Sequence, residues 1–221
     1  MVNWQNIDTV LLDMDGTLLD LHFDNYFWLE YLPTRYAQAH GISQAEARSD
    51  IHNKIAELEG SLQWYCLDHW SELMSLDIPA LKAELRHKIC VRPYSELFLQ
   101  RLKKLEKKLV LITNAHPKGL SLKLQVSRID RWLDIIISSH EYKSPKEDQA
   151  FWQQLQAQEP FDPERTVFID DTPRVLRSAQ AYGLKHLICI VAPDSQRPEH
   201  DSQEFIGIRH FDEIMPELAQ A

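Results

Sequence analysis

A chain of 221 residues, 44% hydrophobic and 26% charged, has the make-up of an ordinary globular protein, long enough for one large domain or one domain carrying a smaller insert. A formal net charge of −9 argues against a nucleic-acid polymer as partner, and no apolar run approaches the roughly 18 residues of a membrane span. Cys66, Cys90 and Cys189 are far apart and contain no Cys-x-x-Cys pair, which predicts neither a disulfide framework nor a zinc site. The amino terminus carries no basic patch and no apolar stretch, so the expected location is a reducing cytoplasm.

The chain opens with the run Thr9-Val10-Leu11-Leu12, which reads as a buried strand, followed by Asp13-Met14-Asp15-Gly16-Thr17-Leu18. Asp13 falls at the strand's carboxyl end, where open α/β sheets place their ligands. Two like charges one residue apart both ionise only beside a cation, and Mg²⁺ suits hard oxygen donors that also hold a phosphate. A helical stretch then extends to about Cys90. Asp24 is expected to cap a helix through His40, with Gly41 as its stop. Ser43 to Glu46 has capping-box spacing and opens a helix to about Glu59. Gly60-Ser61 breaks it, a third helix covers Gln63 to Met74, and a fourth runs from Asp77-Ile78-Pro79 to about Lys88.

Pro93 is expected to open a helix through Glu106. From there strands and helices alternate: strand Leu109–Thr113, helix Lys118–Val126, strand Asp134–Ser138, helix Glu147–Gln156, strand Thr166–Asp170, helix Pro173–Tyr182 and strand His186–Val191. A loop over Pro193–Gln203, a short strand Phe205–Ile208 and a helix Asp212–Leu218 close the chain. Alternation of this kind predicts a parallel sheet with crossover helices on both faces. The roughly 95 residues between the first two strands far exceed a crossover of about a dozen. The excess is assigned to an inserted helical unit, residues 21–90, within a core made of residues 1–20 and 91–221.

Three further sites lie at strand ends. Thr113-Asn114-Ala115-His116-Pro117 offers a hydroxyl and an amide just before a helix amino terminus, suited to a phosphate oxygen or to helix capping. Lys146, in Ser144-Pro145-Lys146-Glu147, could supply the fixed cation that phosphoryl transfer needs, with Lys143 as the competing candidate. Asp170-Asp171-Thr172-Pro173 places adjacent acids at the end of an apolar strand, where they repel unless a cation or hydrogen bonds hold them.

These four motifs, in this order, resemble those of the haloacid dehalogenase-like (HAD) superfamily. The resemblance implies an α/β fold, a Rossmann-like parallel-sheet core with an inserted α-helical cap of the C1 type. It implies a Mg²⁺-dependent phosphatase in which Asp13 is the nucleophile and Asp15 the general acid and base. Thr113, Asn114 and Lys146 would bind phosphate. Asp13, Asp15 (through its carbonyl), Asp171 directly and Asp170 through water would hold the metal. HAD dehalogenases need one nucleophilic Asp and no metal, so Asp15, Asp170 and Asp171 argue against dehalogenation. A phosphomutase shares the same core.

The run Leu-Leu-Asp-Met-Asp-Gly-Thr-Leu-Leu-Asp with Phe-Asp-Asn-Tyr-Phe-Trp after it, Gln63 to Asp68, Thr-Asn-Ala-His-Pro, Pro-Lys-Glu-Asp-Gln and Phe-Ile-Asp-Asp look like the bacterial purine nucleotidases of this superfamily. That implies hydrolysis of GMP and IMP to nucleoside and phosphate, with a small nucleotide rather than a polymer or a membrane as partner. The alternative is a phosphatase or phosphomutase acting on sugar phosphates or phosphoglycolate. Asp24, Asn25, Trp28, Trp64, Asp68 and His116 are the candidate specificity residues. His116 could contact the leaving group or cap the helix before Pro117. The insert's aromatic residues could stack a nucleobase or form its own core.

Overall fold

The computed structural model describes residues 2–218; Met1 and residues 219–221, which the core assignment included, lie outside the described residues. Strand β1 (Thr9–Leu12) is buried at all four positions. The helical insert follows, with α1 (His22–Tyr26), α2 (Leu32–His40), α3 (Gln44–Leu58), α4 (Leu62–Tyr65), α5 (Leu67–Met74) and α6 (Ile78–Glu84). The remainder alternates: α7 (Ser95–Lys104), β2 (Lys108–Thr113), α8 (Pro117–Ser127), β3 (Ile135–Ser138), α9 (Ser139–Tyr142), α10 (Gln149–Gln158), β4 (Thr166–Asp170), α11 (Pro173–Tyr182), β5 (His186–Ile190) and β6 (Ile206–Ile208).

Among the described residues, six strands form one parallel sheet in the order β3-β2-β1-β4-β5-β6. This is an α/β, Rossmann-like core. Alternate residues feed its two faces. Val10, Leu12, Leu109, Leu111, Val167 and Ile169 pack with Phe98 and Leu102 of α7 on one side. Leu11, Val110, Ile112 and Phe168 pack with Phe151, Trp152 and Leu176 on the other. Leu12 pairs with Leu111 and Ile169, so the tips of β1, β2 and β4 finish on one edge.

The helices after Leu21 bury a separate cluster that includes Phe27, Trp70, Met74, Ile78 and Leu81. The two segments that lead into and out of them lie side by side: Asp20 N–H donates to the Cys90 carbonyl (2.9 Å), and Arg92 N–H to that of Leu18 (3.0 Å).

Several expected boundaries move. Asp24 is not a helix cap. It lies inside α1, which starts after Leu21 and runs through a π-helical turn at Phe27–Tyr31 into α2. Gly41 stops α2 in the left-handed conformation (φ 66°), and Ser43 and Glu46 form the expected capping box of α3. The expected third helix is two, because Cys66 adopts an extended conformation between α4 and α5. The expected fourth helix ends at Glu84, with a separate 3₁₀ turn at Arg86–Lys88. Pro93 does not start α7; Tyr94, with φ of 64°, intervenes. Helix α10 begins at Gln149, which leaves Lys146 and Glu147 in a loop. Helix α9 was not foreseen, and the closing helix is a 3₁₀ turn at Phe211–Ile214.

Candidate active site

The common sheet edge gathers the acids and the lysine read from the sequence. Asp13, directly after β1, is 5% exposed, and its Oδ1 lies 2.6 Å from Lys146 Nζ. The same ammonium lies 2.7 Å from Asp170 Oδ2. The Lys146 loop is fixed from two sides. Its backbone N–H donates to Asn114 Oδ1 (2.9 Å), and its carbonyl accepts from the indole of buried Trp152 (2.9 Å). Asn114 gives its amide hydrogen to Glu147 (2.9 Å), so both ends of this side chain support the lysine loop. Thr113 is buried, and its hydroxyl oxygen accepts from Ala115 N–H (3.0 Å), which leaves its own hydrogen to donate. Lys143, the competing candidate, closes α9 in a left-handed conformation and is exposed.

Asp170 accepts from Thr172 N–H (2.8 Å), and Asp171 accepts from the Thr172 hydroxyl (3.2 Å). Gly16 admits Asp171 to this corner. Its φ is +86°, and a Cβ there would lie 2.5 Å from Asp171 Oδ2. Glycine supplies both the backbone conformation and the space.

Burial pushes the Asp13 carboxyl up to about 6 against the pull of Lys146, and the charge of Asp170 adds to the rise. Burial also raises Asp15 to about 6, helped by the charges of Asp24 and Asp13 and opposed by Lys123. Asp171 is raised well above the usual carboxylate range by burial, then by Asp170 and Asp13. Asp13, Asp170 and Asp171, balanced by the one ammonium of Lys146, form a donor set of hard oxygens that a divalent ion such as Mg²⁺ fits.

A second charge cluster adjoins the first and includes lysines that the sequence reading did not single out. Lys123, on α8, lies 2.6 Å from Asp15 Oδ1 and 2.7 Å from Asp24 Oδ2. Lys82, on α6, lies 2.6 Å from Asp24 Oδ1 and sits over the rings of Phe23, Phe27 and Trp28. Burial alone would raise Asp24, but Lys123 and Lys82 hold it well below the carboxylate range. The signal for these lysines is helical spacing. Lys82 follows Ile78 by four positions, and Lys123 follows Leu120 by three, on the apolar face of each helix.

Glu147 was also missed. It accepts from the Tyr65 hydroxyl (2.7 Å) and from Arg174 (3.1 Å), and so links α4, the lysine loop and α11.

These groups border a cavity of about 620 Å³, reached by Asp13, Asp15, Thr113, Lys146, Asp170 and Asp171 from the sheet edge. The insert contributes Asp24, Asn25, Trp28 and Trp64, and the loop before α8 contributes His116. Asn25 donates to Asp194 (2.7 Å). Trp28 packs on Trp70 with ring centres 5.0 Å apart, and Trp64 on Tyr65 at 4.9 Å. His116 caps α8, its Nδ1 accepting from Lys118 N–H at 3.4 Å. Asp68 does not line the cavity; it pairs with Lys118 at 2.7 Å on the exposed flank. Much of the insert's aromatic content is core, with Phe27 and Trp70 fully buried.

Residues 7–183 match the family model of the haloacid dehalogenase-like hydrolases. The chain is 38% identical over 217 residues to the GMP/IMP nucleotidase YrfG of Escherichia coli (strain K12), covering 98% of each chain, with the same figures for that of Shigella flexneri. In fold it is similar to the crystal structure of a HAD phosphatase from Thermococcus onnurineus (TM-score 0.78, 23% identity, 94% of this chain and 96% of that one). Asp13 and Asp15 at the tip of the central strand, Asp170-Asp171 at the neighbouring tip, Lys146 reaching them from the loop before α10, and a family match over most of the length lead to one assignment: this chain belongs to the haloacid dehalogenase-like hydrolase family.

Proposed function

We propose that the protein is a Mg²⁺-dependent phosphomonoester hydrolase acting on purine 5′-nucleotides, GMP and IMP, through an aspartyl-phosphate intermediate. The chemistry rests on one observation: Asp13, buried at the tip of the central strand, lies 2.6 Å from Lys146 and shares a cavity with a second carboxyl, Asp15. The purine preference rests on the 38% identity, over nearly the full length, to an enzyme that bears that name.

An Asp13 oxygen attacks the phosphorus, and the ester P–O bond breaks. Asp15 gives its proton to the departing alkoxide and then, as carboxylate, takes one from the water that attacks the phosphorus of the intermediate. The bond from phosphorus to Asp13 breaks, and phosphate leaves. Lys146 neutralises the nucleophile and, with the Thr113 hydroxyl, holds phosphate oxygens. Lys123 fixes the Asp15 carboxylate 2.6 Å from its ammonium. Asp13, the Asp15 carbonyl and Asp171 would hold the ion, with Asp170 behind water. Between the two adjacent acids, Asp171 is favoured because its carboxylate meets only the Thr172 hydroxyl, whereas Asp170 is engaged by Lys146 and Thr172 N–H. Mg²⁺ bound there supplies positive charge against the phosphate and the nucleophile.

Residues 21–90 act as a cap that carries substrate choice, because the core groups meet only the phosphate end. A phosphate-release screen over nucleoside monophosphates and sugar phosphates, with Mg²⁺ present, tests the substrate. GMP and IMP should lead it. Preference for a sugar phosphate refutes the nucleotidase reading and leaves the phosphatase chemistry, whereas transfer without phosphate release identifies a mutase. If Trp28 or Trp64 stacks the base, its replacement by Ala raises KM for GMP by the equivalent of about 1–3 kcal/mol and leaves p-nitrophenyl phosphate nearly unchanged.

A further inference from the structure

Away from the aspartates, three side chains from distant parts of the chain meet where the insert contacts the core. Cys66 stands at the extended break between α4 and α5, His116 at the amino terminus of α8, and His140 in α9 just beyond β3. The Cys66 sulfur and one ring nitrogen from each histidine all lie within 4.8 Å of one another. The two imidazoles meet edge to face, with centres 4.9 Å apart and planes at 84°.

The histidines are prepared unequally. His140 Nε2 is buried and, among the described residues, has no hydrogen-bond partner. Burial and the neighbouring His116 also hold this imidazole down at about 4, so it is neutral at ordinary pH. At His116, Lys118 N–H lies 3.4 Å from Nδ1 and Asp68 Oδ2 lies 3.7 Å from Nε2. Neither contact is a short hydrogen bond, so this ring has a nitrogen to give, and Asp68 is near enough to support it. A thiolate and two imidazoles suit Zn²⁺ and related borderline-soft cations and do not suit Mg²⁺.

We propose that Cys66, His116 and His140 form a second metal site, selective for a Zn²⁺-class transition-metal ion, that ties the insert to the core beside the substrate cavity. Binding releases the Cys66 thiol proton and forms one metal–sulfur and two metal–nitrogen bonds; no electron is transferred. His116 also lines the cavity, so an ion here immobilises the insert against the loop before α8.

The test uses the whole protein with Mg²⁺ in millimolar excess, so that the aspartate site is occupied. Titration with Co²⁺ should give a thiolate-to-cobalt charge-transfer band and tetrahedral visible absorption that saturate at one equivalent. The band should vanish in Cys66→Ser and persist in Cys90→Ser, and His140→Gln should weaken Zn²⁺ binding at least tenfold. A measurement on the unaltered protein removes any dependence on how the variants fold. One equivalent of Zn²⁺ should slow alkylation of Cys66 at least tenfold, read by peptide mass spectrometry, and leave exposed Cys90 unchanged. A band that survives Cys66→Ser, or equal alkylation of Cys66 with and without Zn²⁺, overturns the proposal.

Discussion

Lys82, Asp24, Lys123 and Asp15 form a charge cluster that sums to zero, and its buried lysines make it a sharp test of how the insert is tied to the core. The two lysine side chains are each 4% exposed and Asp24 is 17% exposed. Asp24→Asn keeps the shape and removes the charge. Lys123 retains Asp15, so Lys82 becomes the unpaired ion. Breaking a buried pair costs about 3–5 kcal/mol, and the partial exposure of Asp24 puts this case near 3. With a urea slope of about 3 kcal/mol per molar, the midpoint should fall by about 1 M. Lys82→Met leaves the opposite excess charge and should cost a similar amount, although the new side chain fits the ring of Phe23, Phe27 and Trp28. The double variant restores neutrality, so it should lose less than the two single losses together, by about 2–3 kcal/mol. The Asp24 carboxyl is held below its ordinary value, so its contribution is complete above about pH 4 and is lost as pH falls below that. The gap between wild type and Asp24→Asn should therefore narrow as pH falls below about 4. Urea unfolding followed by circular dichroism measures all four proteins. Losses that add to within about 0.5 kcal/mol would refute the treatment of these charges as one unit.

The remaining predictions concern chemistry and metal. Gly16→Ala should raise the Mg²⁺ concentration for half-maximal activity at least tenfold, because the new Cβ meets Asp171 and adds about 1–2 kcal/mol of left-handed strain; an unchanged Mg²⁺ titration would show that Asp171 does not hold the ion. Lys123→Met should slow GMP hydrolysis more than p-nitrophenyl phosphate hydrolysis, because both need Asp15 as base in the second step but only the poorer leaving group needs it as acid in the first; equal losses would show that Lys123 does not act through proton delivery to the leaving group. The Asp13 and Asp15 carboxyls, raised to about 6, bind protons that the unfolded chain has already lost. They contribute stability fully below about pH 4, and that contribution is lost as pH rises through 6. Mg²⁺ competes with the proton on Asp13, so its increase in Tm should be larger at pH 7.5 than at pH 5, and an equal increase would contradict the shared site.

The sheet and the line of its tips were legible because β1, β2 and β4 are apolar runs that give way to a polar group at the carboxyl end. Asp13, Thr113 and Asp170 each follow such a run, and the pairing of Leu12 with Leu111 and Ile169 brings those tips together. Lys146 was legible through Pro145 and through its place after β3. Lys82 and Lys123 were not, because a lysine at a core position of a helix normally snorkels to solvent, and only the fold reveals the two aspartates that hold them inside. Cys66 was invisible for a different reason. Its partners, His116 and His140, lie about 50 and 75 residues away, and no short spacing links them. The break at Cys66 was missed because Gln63–Met74 has continuous helical periodicity, whereas in the structure the indole of Trp70 reaches back to the Trp64 carbonyl (2.7 Å) across the interruption.

The place of β1 at the centre of the sheet also sets a timetable for folding. Thr9 pairs with Thr166, so the strand that carries Asp13 cannot be enclosed on both edges until about 160 further residues exist. At about 5–20 residues per second that takes roughly 8–30 s during synthesis. The insert is made within that interval and closes through near neighbours, such as the Tyr36 hydroxyl on Asp50 (2.8 Å) and Trp28 on Trp70. A nascent chain therefore spends seconds with the β4-facing edge of Val10-Leu11-Leu12 bare, and that edge is where a slowed ribosome or a weakened β4 would divert the protein into aggregation.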